Sequence, residues 1–288
     1  MRPDQKHFFM NVACPSRPGI ISAISTHLSD RDCDIVESAQ FVDPDGQRFF
    51  QRIAFDAPDA IGGEAELAEG LRPIMRRFDM DLAIRDARRR PKVLIMVSRI
   101  GHCLNDLLYR HSIGALPVDI VGVGSNHDMF RPLVERAGIP FFRLDVNPAT
   151  KAEAEAALLD FIKGNGVELM ILARYMQVLS DGLSAKLPGR CINIHHSFLP
   201  SFMGARPYGQ AYKRGVKLVG ATCHFVTSDL DNGPIIEQDV QRVSHADTEK
   251  DMVRKGRDIE QLVLARGLRW FLEDRVQVHN HRTVIFGS

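Results

Sequence analysis

The sequence lacks the cysteine pattern of a disulfide-stabilised protein or of a zinc site. Its 288 residues include five cysteines, an odd number, and no two of them form a Cys-x-x-Cys pair. Disulfide frameworks and zinc sites both need cysteines in such regular pairings. We therefore expect no metal site and reduced, mostly buried thiols at Cys14, Cys33, Cys103, Cys191 and Cys223.

Two further absences restrict the partners of the protein. Lysine and arginine total 37 against 36 acidic residues, so the formal net charge of +1 favours neither nucleic acid nor an anionic membrane. No apolar run approaches the roughly 20 residues that a membrane-spanning helix needs, and the first residues contain no signal-peptide core. These features predict a cytoplasmic protein that acts on a small molecule.

A dinucleotide-binding fingerprint is missing as well. The run Gly122-Val-Gly-Ser-Asn126 lacks the third glycine of the Gly-x-Gly-x-x-Gly pattern, so it does not predict a nucleotide cofactor. The basic run from Arg85 to Pro91 contains no aromatic residue, which favours a solvated linker over an RNA-binding patch. We expect no cofactor and no nucleic-acid partner.

Residues 1–85 have the pattern of a small α/β domain. Strands are predicted at 8–13, 35–42, 48–55 and 80–84, and amphipathic helices at 20–29 and 63–77. The βαββαβ order predicts a ferredoxin-like antiparallel sheet with two helices on one face. This resembles the ACT domain, a regulatory module that often binds amino acids between paired copies. The resemblance implies an effector loop at Arg17, Pro18, Gly19 and Ile20; a dimerisation domain without a ligand is the alternative.

A linker at 86–92 and a second domain at 93–288 are predicted to follow. Continuous apolar runs alternate there with helical patterns, as in a doubly wound, mostly parallel sheet. The runs lie at 93–97, 118–123, 141–144, 169–173 and 192–194. Two more strands are predicted at 218–226 and 234–243, and Thr248-Glu-Lys-Asp251 has the capping-box pattern of a long helix that extends to Leu272.

Polar residues follow the apolar run at 192–194 and recur about thirty residues later. Asn193 and His195 are two residues apart, so in a strand they project from the same face, at the carboxyl end where doubly wound sheets bind ligands. His224 ends another apolar segment, and Asp231 lies in a turn sequence that could fold back over the same place. An amide, an imidazole and a carboxylate would then converge.

Three motifs in this region resemble the 10-formyltetrahydrofolate-dependent formyl transferases and hydrolases. They are Asn193 to Pro200, Gly220 to Val226 and Leu230 to Gln238, within a resemblance that covers about residues 92–280. It implies that Asn193 and a protonated His195 stabilise a tetrahedral oxyanion and that Asp231 orients the attacking water. His224 would support Asp231 or the water, with a packed strand histidine as the alternative.

The loop after the first predicted strand of this domain separates the branches of the family. Family members that formylate glycinamide ribonucleotide carry a phosphate-gripping Gly-Ser-Asn run there, whereas this chain has Ser98 to Asn105 with bulky His102 and Cys103. Together with Ala173 to Leu179 and Met203 to Gly209, this resembles the hydrolase branch. It implies hydrolysis of 10-formyltetrahydrofolate to tetrahydrofolate and formate, which supplies formate for purine synthesis and balances one-carbon pools. A formyl transferase with an amine acceptor and a sensor without turnover are the alternatives.

The same resemblance implies two loops around the folate. The substrate-binding residues would be Met176, Gln177, Leu179, Thr227, Ser228 and Asp229. It also implies a homo-oligomer, a dimer or tetramer, with a possible amino-acid effector at the ACT-like domain. A metal bound by His195, His224 and Asp231 is the remaining alternative, but these spacings match no common ligand pattern.

Overall fold

The computed structural model of the chain describes residues 5–201 and 207–287, which form two compact units. The first unit contains the described residues up to Arg89, Trp270–His279 and those from Thr283 on. The second contains those of Arg90–Arg269 and Asn280–Arg282. Four residues of the motif Met203 to Gly209, residues 203–206, lie outside the described residues.

The first unit is built on a four-stranded antiparallel sheet with the strand order β2-β3-β1-β4. Its elements are β1 (Gln5–Pro15), α1 (Ile20–Ser29), β2 (Asp34–Asp43), β3 (Arg48–Pro58), α2 (Glu64–Phe78) and β4 (Asp81–Asp86). The order βαββαβ matches the prediction, and the observed strands extend a few residues beyond the predicted ones. The polar turn between β2 and β3 allows them to pair as a hairpin, with Phe41 opposite Phe50.

The core of this unit lies between the sheet and the two helices. Alternate residues of β1 are buried, as a period of two requires for a strand with one covered face. The helices contribute residues three and four positions apart, which places them on one helical face. The buried residues include Phe8, Met10 and Val12 of β1, Ile20, Ile24 and Leu28 of α1, and Leu67, Leu71 and Phe78 of α2.

The end of the chain returns to the first unit. The predicted boundaries, which place it in the domain at 93–288, are wrong on this point. Two further strands, β12 (Val276–His279) and β13 (Arg282–Ile285), pair with each other. Arg275 forms ion pairs with Glu37 and Glu273, at 2.8 and 2.6 Å. Gln277 donates to the carbonyl of Gln51 at 3.0 Å. The contacts of Arg275 with Glu37 and of Gln277 with Gln51 join segments more than two hundred residues apart, so no local pattern indicates them.

Near the end of the chain, the sequence predicts surface positions for His279 and His281, and the structure differs at His279. Its Nε2 lies 3.1 Å from the carboxylate of Asp43, and its ring centroid lies 5.1 Å from that of Phe50. The ring is therefore partly buried within the first unit, whereas His281 is exposed as predicted.

The second unit is built on a seven-stranded, mostly parallel sheet, as predicted. The strand order is β11-β10-β9-β8-β5-β6-β7, in which β10 is antiparallel to both of its neighbours, β9 and β11, and the other neighbouring strands are parallel. Its strands are β5 (Lys92–Val97), β6 (Asp119–Ser125), β7 (Phe141–Arg143), β8 (Leu169–Leu172), β9 (Cys191–His195), β10 (Leu218–Phe225) and β11 (Ile235–Arg242).

Helices connect these strands, and two of the helices have no clear signal in the sequence. The helical patterns at 104–109, 129–137, 152–162 and 248–272 are observed as α3 (His102–Ser112), α4 (Arg131–Arg136), α5 (Lys151–Asn165) and α8 (Glu249–Leu272). Two further helices, α6 (Asp181–Ser184) and α7 (Pro207–Arg214), are additional. Both are too short to show a helical repeat. At the start of α8, Thr248 and Asp251 exchange hydrogen bonds between side chains and backbone, which confirms the capping box.

Parallel strands buried on both faces explain the continuous apolar runs. Val93 to Val97 are all fully buried, as are the residues of β8. All five cysteines are free and buried, which confirms that prediction. Within the described ranges, no helix combines the length and apolar character needed to cross a membrane.

Candidate active site

Asn193 and His195 lie in β9, at the carboxyl end of the parallel part of the sheet. β9 is flanked by parallel β8 and antiparallel β10, and the register places Asn193 directly opposite His224 of β10. Side chains of opposite residues share a face of the sheet. The sheet therefore fixes the amide and two imidazoles in one place.

His224 holds the amide of Asn193. Nδ1 of His224 lies 2.9 Å from the carbonyl oxygen of Phe225, and Nε2 lies 3.2 Å from Nδ2 of Asn193. Burial lowers the pKa of His224, so the ring is neutral near pH 7. A carbonyl only accepts, which places the single ring proton on Nδ1 and leaves Nε2 to accept from Asn193. The second N–H of the Asn193 amide remains available to a ligand.

Asp231 faces His195 from the loop after β10. Its Oδ1 lies 3.2 Å from Nδ1 of His195 and 3.9 Å from Nε2 of His224. Burial acts to raise the pKa of Asp231, but the hydrogen bond and charge of His195 outweigh it, so the pKa lies below its usual value. Nε2 of His195 is buried and has no hydrogen-bond partner among the described residues. The arrangement presents one carboxylate and two nitrogen donors.

The loop that carries Asp231 is held by a glycine. Gly233 lies so close to the end of β10 that a Cβ atom there would be 1.8 Å from the carbonyl oxygen of Phe225. The chain then returns into the sheet, where the N–H of Phe225 donates to the carbonyl of Pro234 at 2.9 Å. Only glycine permits this approach, which brings Asp231 over the end of β9.

A cavity of about 320 Å³ is lined by Asn193, His195, His224 and Asp231. The six residues predicted to bind the substrate lie around it: Met176, Gln177, Leu179, Thr227, Ser228 and Asp229. Met176, Val178 and Leu230 also line the cavity and are 53%, 55% and 60% exposed. Exposed apolar side chains around a concave site favour a flat, partly apolar ligand.

The predicted effector loop lies apart in the sequence, in the turn between β1 and α1. Arg17, Pro18 and Gly19 are exposed, and Gly19 has a φ of 92°, which favours glycine. The side chain of Ile20 is 2% exposed and belongs to the core of the first unit. Only the backbone of Ile20 is therefore able to contact a ligand.

Arg174 is a charged residue of this cavity that lies in the run Ala173 to Leu179 but is not among the predicted site residues. It follows β8 directly, its side chain is 6% exposed, and its Nε lies 3.3 Å from Oε2 of Glu260. Glu260 also accepts from Tyr208 at 2.7 Å and contacts Nε2 of His102 at 2.8 Å. A charged residue at the end of an apolar strand is the signal in the sequence that could have identified it.

His196 also lines the cavity, although the strand alternation predicts that it points away from His195. The strand ends at His195, so the alternation no longer applies to the next residue. Burial and the charge of Arg174 lower the pKa of His196 to about 3, which keeps the ring neutral. Its ring centroid lies 5.2 Å from that of His195.

One group of side chains in the described parts of the chain has the spacing of a metal site. The ligand atoms of His102, Cys103 and Glu260 lie within 4.8 Å of one another. Burial raises the pKa of the Cys103 thiol well above its usual value, and Arg174 already pairs with Glu260. A neutral thiol beside a guanidinium is a poor site for a cation.

Comparison with known proteins identifies relatives of the whole chain. Residues 91–268 match the formyl transferase family. Formyltetrahydrofolate deformylase of Bacillus subtilis is 46% identical over 96% of this chain and 92% of its own length.

Two solved structures extend the same comparison. A formyltetrahydrofolate deformylase from Pseudomonas syringae has a TM-score of 0.95 and 44% identity, and covers 99% of this chain and 96% of its own. A formyltetrahydrofolate deformylase from Burkholderia mallei has a TM-score of 0.92 and 49% identity, and covers 98% of this chain and all of its own. The likeness therefore includes both units.

Proposed function

The chain belongs to the formyltetrahydrofolate deformylase family of the formyl transferases, and from this we propose that it hydrolyses 10-formyltetrahydrofolate to tetrahydrofolate and formate. The observation on which this rests is the meeting of Asn193, His195 and Asp231 at the end of β9 in a cavity of about 320 Å³. The relatives that cover both units are deformylases, which favours hydrolysis over transfer to an amine.

The geometry suggests how the site stabilises the reaction. Water adds to the formyl carbon, and the carbonyl oxygen becomes an oxyanion. The second N–H of Asn193 and a proton on Nε2 of His195 would donate to that oxyanion. Asp231, ionised because its pKa is low, stabilises the charged ring through Nδ1.

Asp231 would also orient the attacking water through its second carboxylate oxygen. Asp231 would accept the proton that the water loses, and N10 takes that proton as the bond between the formyl carbon and N10 breaks. The products are tetrahydrofolate and formic acid, which ionises to formate. His224 acts as a positioning residue, because its contact is with Asn193. None of these steps calls for a metal or a cofactor.

Release of formate without an amine tests this function. We expect the protein to release formate from 10-formyltetrahydrofolate alone, and Asn193→Ala to lower kcat about a hundredfold. Asn105→Ala, which removes an exposed amide from α3, is the matched control and should leave kcat unchanged. Strict dependence on an added amine would show a transferase, and an Asn193→Ala variant as active as the wild type would reject the assigned site.

We further propose that the first unit is an ACT-like regulatory domain. Its βαββαβ order and antiparallel sheet support this, as does the exposed turn at Arg17, Pro18 and Gly19. Hydrolysis discards an activated one-carbon unit, so regulation is expected. Amino acids, methionine and glycine among them, are added one at a time. At least one of them should change the rate of formate release in the wild type but not in Arg17→Ala. No response to any amino acid would contradict the proposal.

A homo-oligomer, a dimer or tetramer, is proposed from the edge of the same sheet. β2 pairs only with β3, and its Val36, Phe41 and Val42 are 60%, 43% and 41% exposed. Apolar edge strands with unpaired backbone groups readily associate. Light scattering should show an oligomer for the wild type and a smaller species for Phe41→Lys. Tyr109→Lys, at an exposed aromatic residue of α3, should remain assembled.

A further inference from the structure

Arg174 is a buried cation whose guanidinium forms no hydrogen bond with the described residues. Its side chain is 6% exposed, and its contact with Glu260 is an ion pair at 3.3 Å without a hydrogen bond at Nε. No hydrogen bond joins its two Nη atoms to any described residue. Buried guanidinium groups normally have their N–H groups satisfied, so these donors call for a ligand.

The backbone at Arg174 shows that the side chain is required there. Its φ is 65°, in the left-handed region that a residue with a side chain rarely adopts. Ser98 holds this turn on both sides, because its N–H donates to the carbonyl of Arg174 at 3.1 Å and its Oγ accepts from the N–H of Met176 at 2.9 Å. Glycine would fit this conformation without strain, and a strained backbone kept in a cavity is typical of functional positions.

Glu260 provides a counter-charge for the buried guanidinium of Arg174 without accepting a hydrogen bond from it. The carboxylate is 1% exposed and accepts from Tyr208 at 2.7 Å and contacts His102 at 2.8 Å. Its geometry is therefore fixed by these two partners. Arg174 gains a counter-charge nearby, while its two Nη atoms form no hydrogen bond with the described residues.

Arg174 lies between two cavities. It lines the cavity of Asn193 and His195, and also a second cavity of about 270 Å³. The charged and titratable groups around the second cavity are Arg174, Arg257, Glu249, Glu260, His102, His196 and Tyr208. Arg174, Met176 and His196 line both cavities, so an anion that moves from the first cavity to the second passes the guanidinium.

We propose that Arg174 binds the formate product through a bidentate pair and that the second cavity is the path by which formate leaves while tetrahydrofolate occupies the first. This inference rests on the proposed hydrolysis. A planar carboxylate matches the planar fork of a guanidinium. Glu260 and Glu249 repel the same anion, so binding is weak, as release of a product requires.

Formate binding can be measured apart from turnover. A titration of ¹³C-formate, followed by NMR, should show saturable binding to the wild-type protein in the presence of tetrahydrofolate. Arg174→Gln should weaken it about tenfold or more, since the charge and the fork are both lost. Arg174→Lys keeps the charge without the planar fork and should weaken it about threefold or more. Arg257→Gln, which removes the exposed cation of the same cavity, should change it less than about twofold.

The outcomes separate this inference from the proposed function. Affinity for formate that equals the wild type in either folded Arg174 variant overturns the inference, as does the absence of saturable binding in the wild type. Formate release from 10-formyltetrahydrofolate, measured separately, tests the hydrolysis itself. If the protein hydrolyses the substrate while Arg174→Gln binds formate normally, only the assignment of Arg174 fails.

Discussion

At the scale of single residues, the site depends on which atom carries each proton. His224 is neutral and donates through Nδ1, so its Nε2 fixes the rotation of the Asn193 amide. His195 turns Nδ1 to Asp231 and leaves Nε2 without a partner among the described residues. His195 and His224 are similarly buried, but they have different roles because their partners differ.

Removal of the His224 ring tests its positioning role. In His224→Leu the Asn193 amide loses the acceptor that orients it, so we expect kcat for formate release to fall about tenfold or more. KM should change less than about threefold, since His224 does not contact the folate in the proposed mechanism. Steady-state kinetics of folded protein measures both values.

His281→Leu, at an exposed histidine, is the control and should match the wild type. A rise in KM with unchanged kcat in His224→Leu would show that the ring serves substrate binding instead.

Glu260 gives a prediction for the dependence of stability on pH. Burial acts to raise its pKa, but the hydrogen bond from His102 and the charge of Arg174 outweigh it, so the folded-state pKa is lowered. The carboxylate therefore stabilises the fold above its unfolded pKa of about 4.3, and this contribution is lost as the pH falls through the folded pKa. Glu260→Gln leaves Arg174 buried without a counter-charge and should cost about 2–4 kcal/mol at pH 7.

Urea denaturation at pH 7.0 and 3.5 measures this effect. The difference in unfolding free energy between wild type and Glu260→Gln should shrink at the lower pH. Glu135→Gln removes a surface ion pair with Arg131 and should change the stability by less than about 0.5 kcal/mol at either pH. A difference for Glu260→Gln that is the same at both pH values would contradict an ionised Glu260.

At the scale of elements, the site is assembled where three strands end. β8 ends before Arg174, β9 ends at His195, and β10 leads into the loop that carries Asp231. The parallel pairing of β8 with β9 places two of these ends at one edge of the sheet, and the antiparallel β10 brings His224 opposite Asn193. Each strand supplies one position of the site, and the sheet fixes the distances.

The return of the loop after β10 is tested at Gly233. A Cβ atom at this position would lie 1.8 Å from a backbone oxygen, which no rotation of a side chain relieves. Gly233→Ala should therefore displace Asp231 and lower kcat about tenfold or more, with far-ultraviolet circular dichroism unchanged. Gly164→Ala in α5, where a Cβ atom meets nothing within 4 Å, should keep full activity. A fully active Gly233→Ala would show that Asp231 does not depend on this approach.

At the scale of the whole molecule, the first unit is closed by the end of the chain. Arg275 donates to Glu37 and to the carbonyl of Phe286, at 2.8 and 2.9 Å, and is 9% exposed. Arg52, in β3, donates to the carbonyl of Glu273 at 2.9 Å and pairs with Glu37 at 3.0 Å. The unit is therefore continuous in space but divided in the sequence.

Arg275→Met tests how much this closure contributes. The variant leaves the carbonyl of Phe286 without its partner and the carboxylate of Glu37 with Arg52 alone, which should cost about 1–3 kcal/mol. Hydrogen exchange followed by mass spectrometry should then show faster exchange in 34–58 and little change in 169–195. Arg254→Met removes a largely exposed arginine of α8 and should leave both regions unchanged. Equal protection of 34–58 in Arg275→Met and wild type would show that the closure adds no local stability.

The sequence by itself determined the βαββαβ order of the first unit, the mostly parallel sheet of the second and the residues that meet at its carboxyl edge. Apolar periodicity is a local property, so it indicated β9, β10 and α8 with Asn193, His195 and His224 in place. The turn sequence likewise indicated that Asp231 folds back.

Only the tertiary structure decided the roles of Arg174, Glu260 and His102 and the return of Arg275 and Gln277 to the first unit. These contacts join positions 86 to 238 residues apart, and their partners are chosen by packing and by charge neutralisation. Neither effect leaves a pattern in neighbouring residues. Local periodicity therefore specified the helices and strands, whereas burial of charge in the assembled molecule specified the side-chain contacts between them.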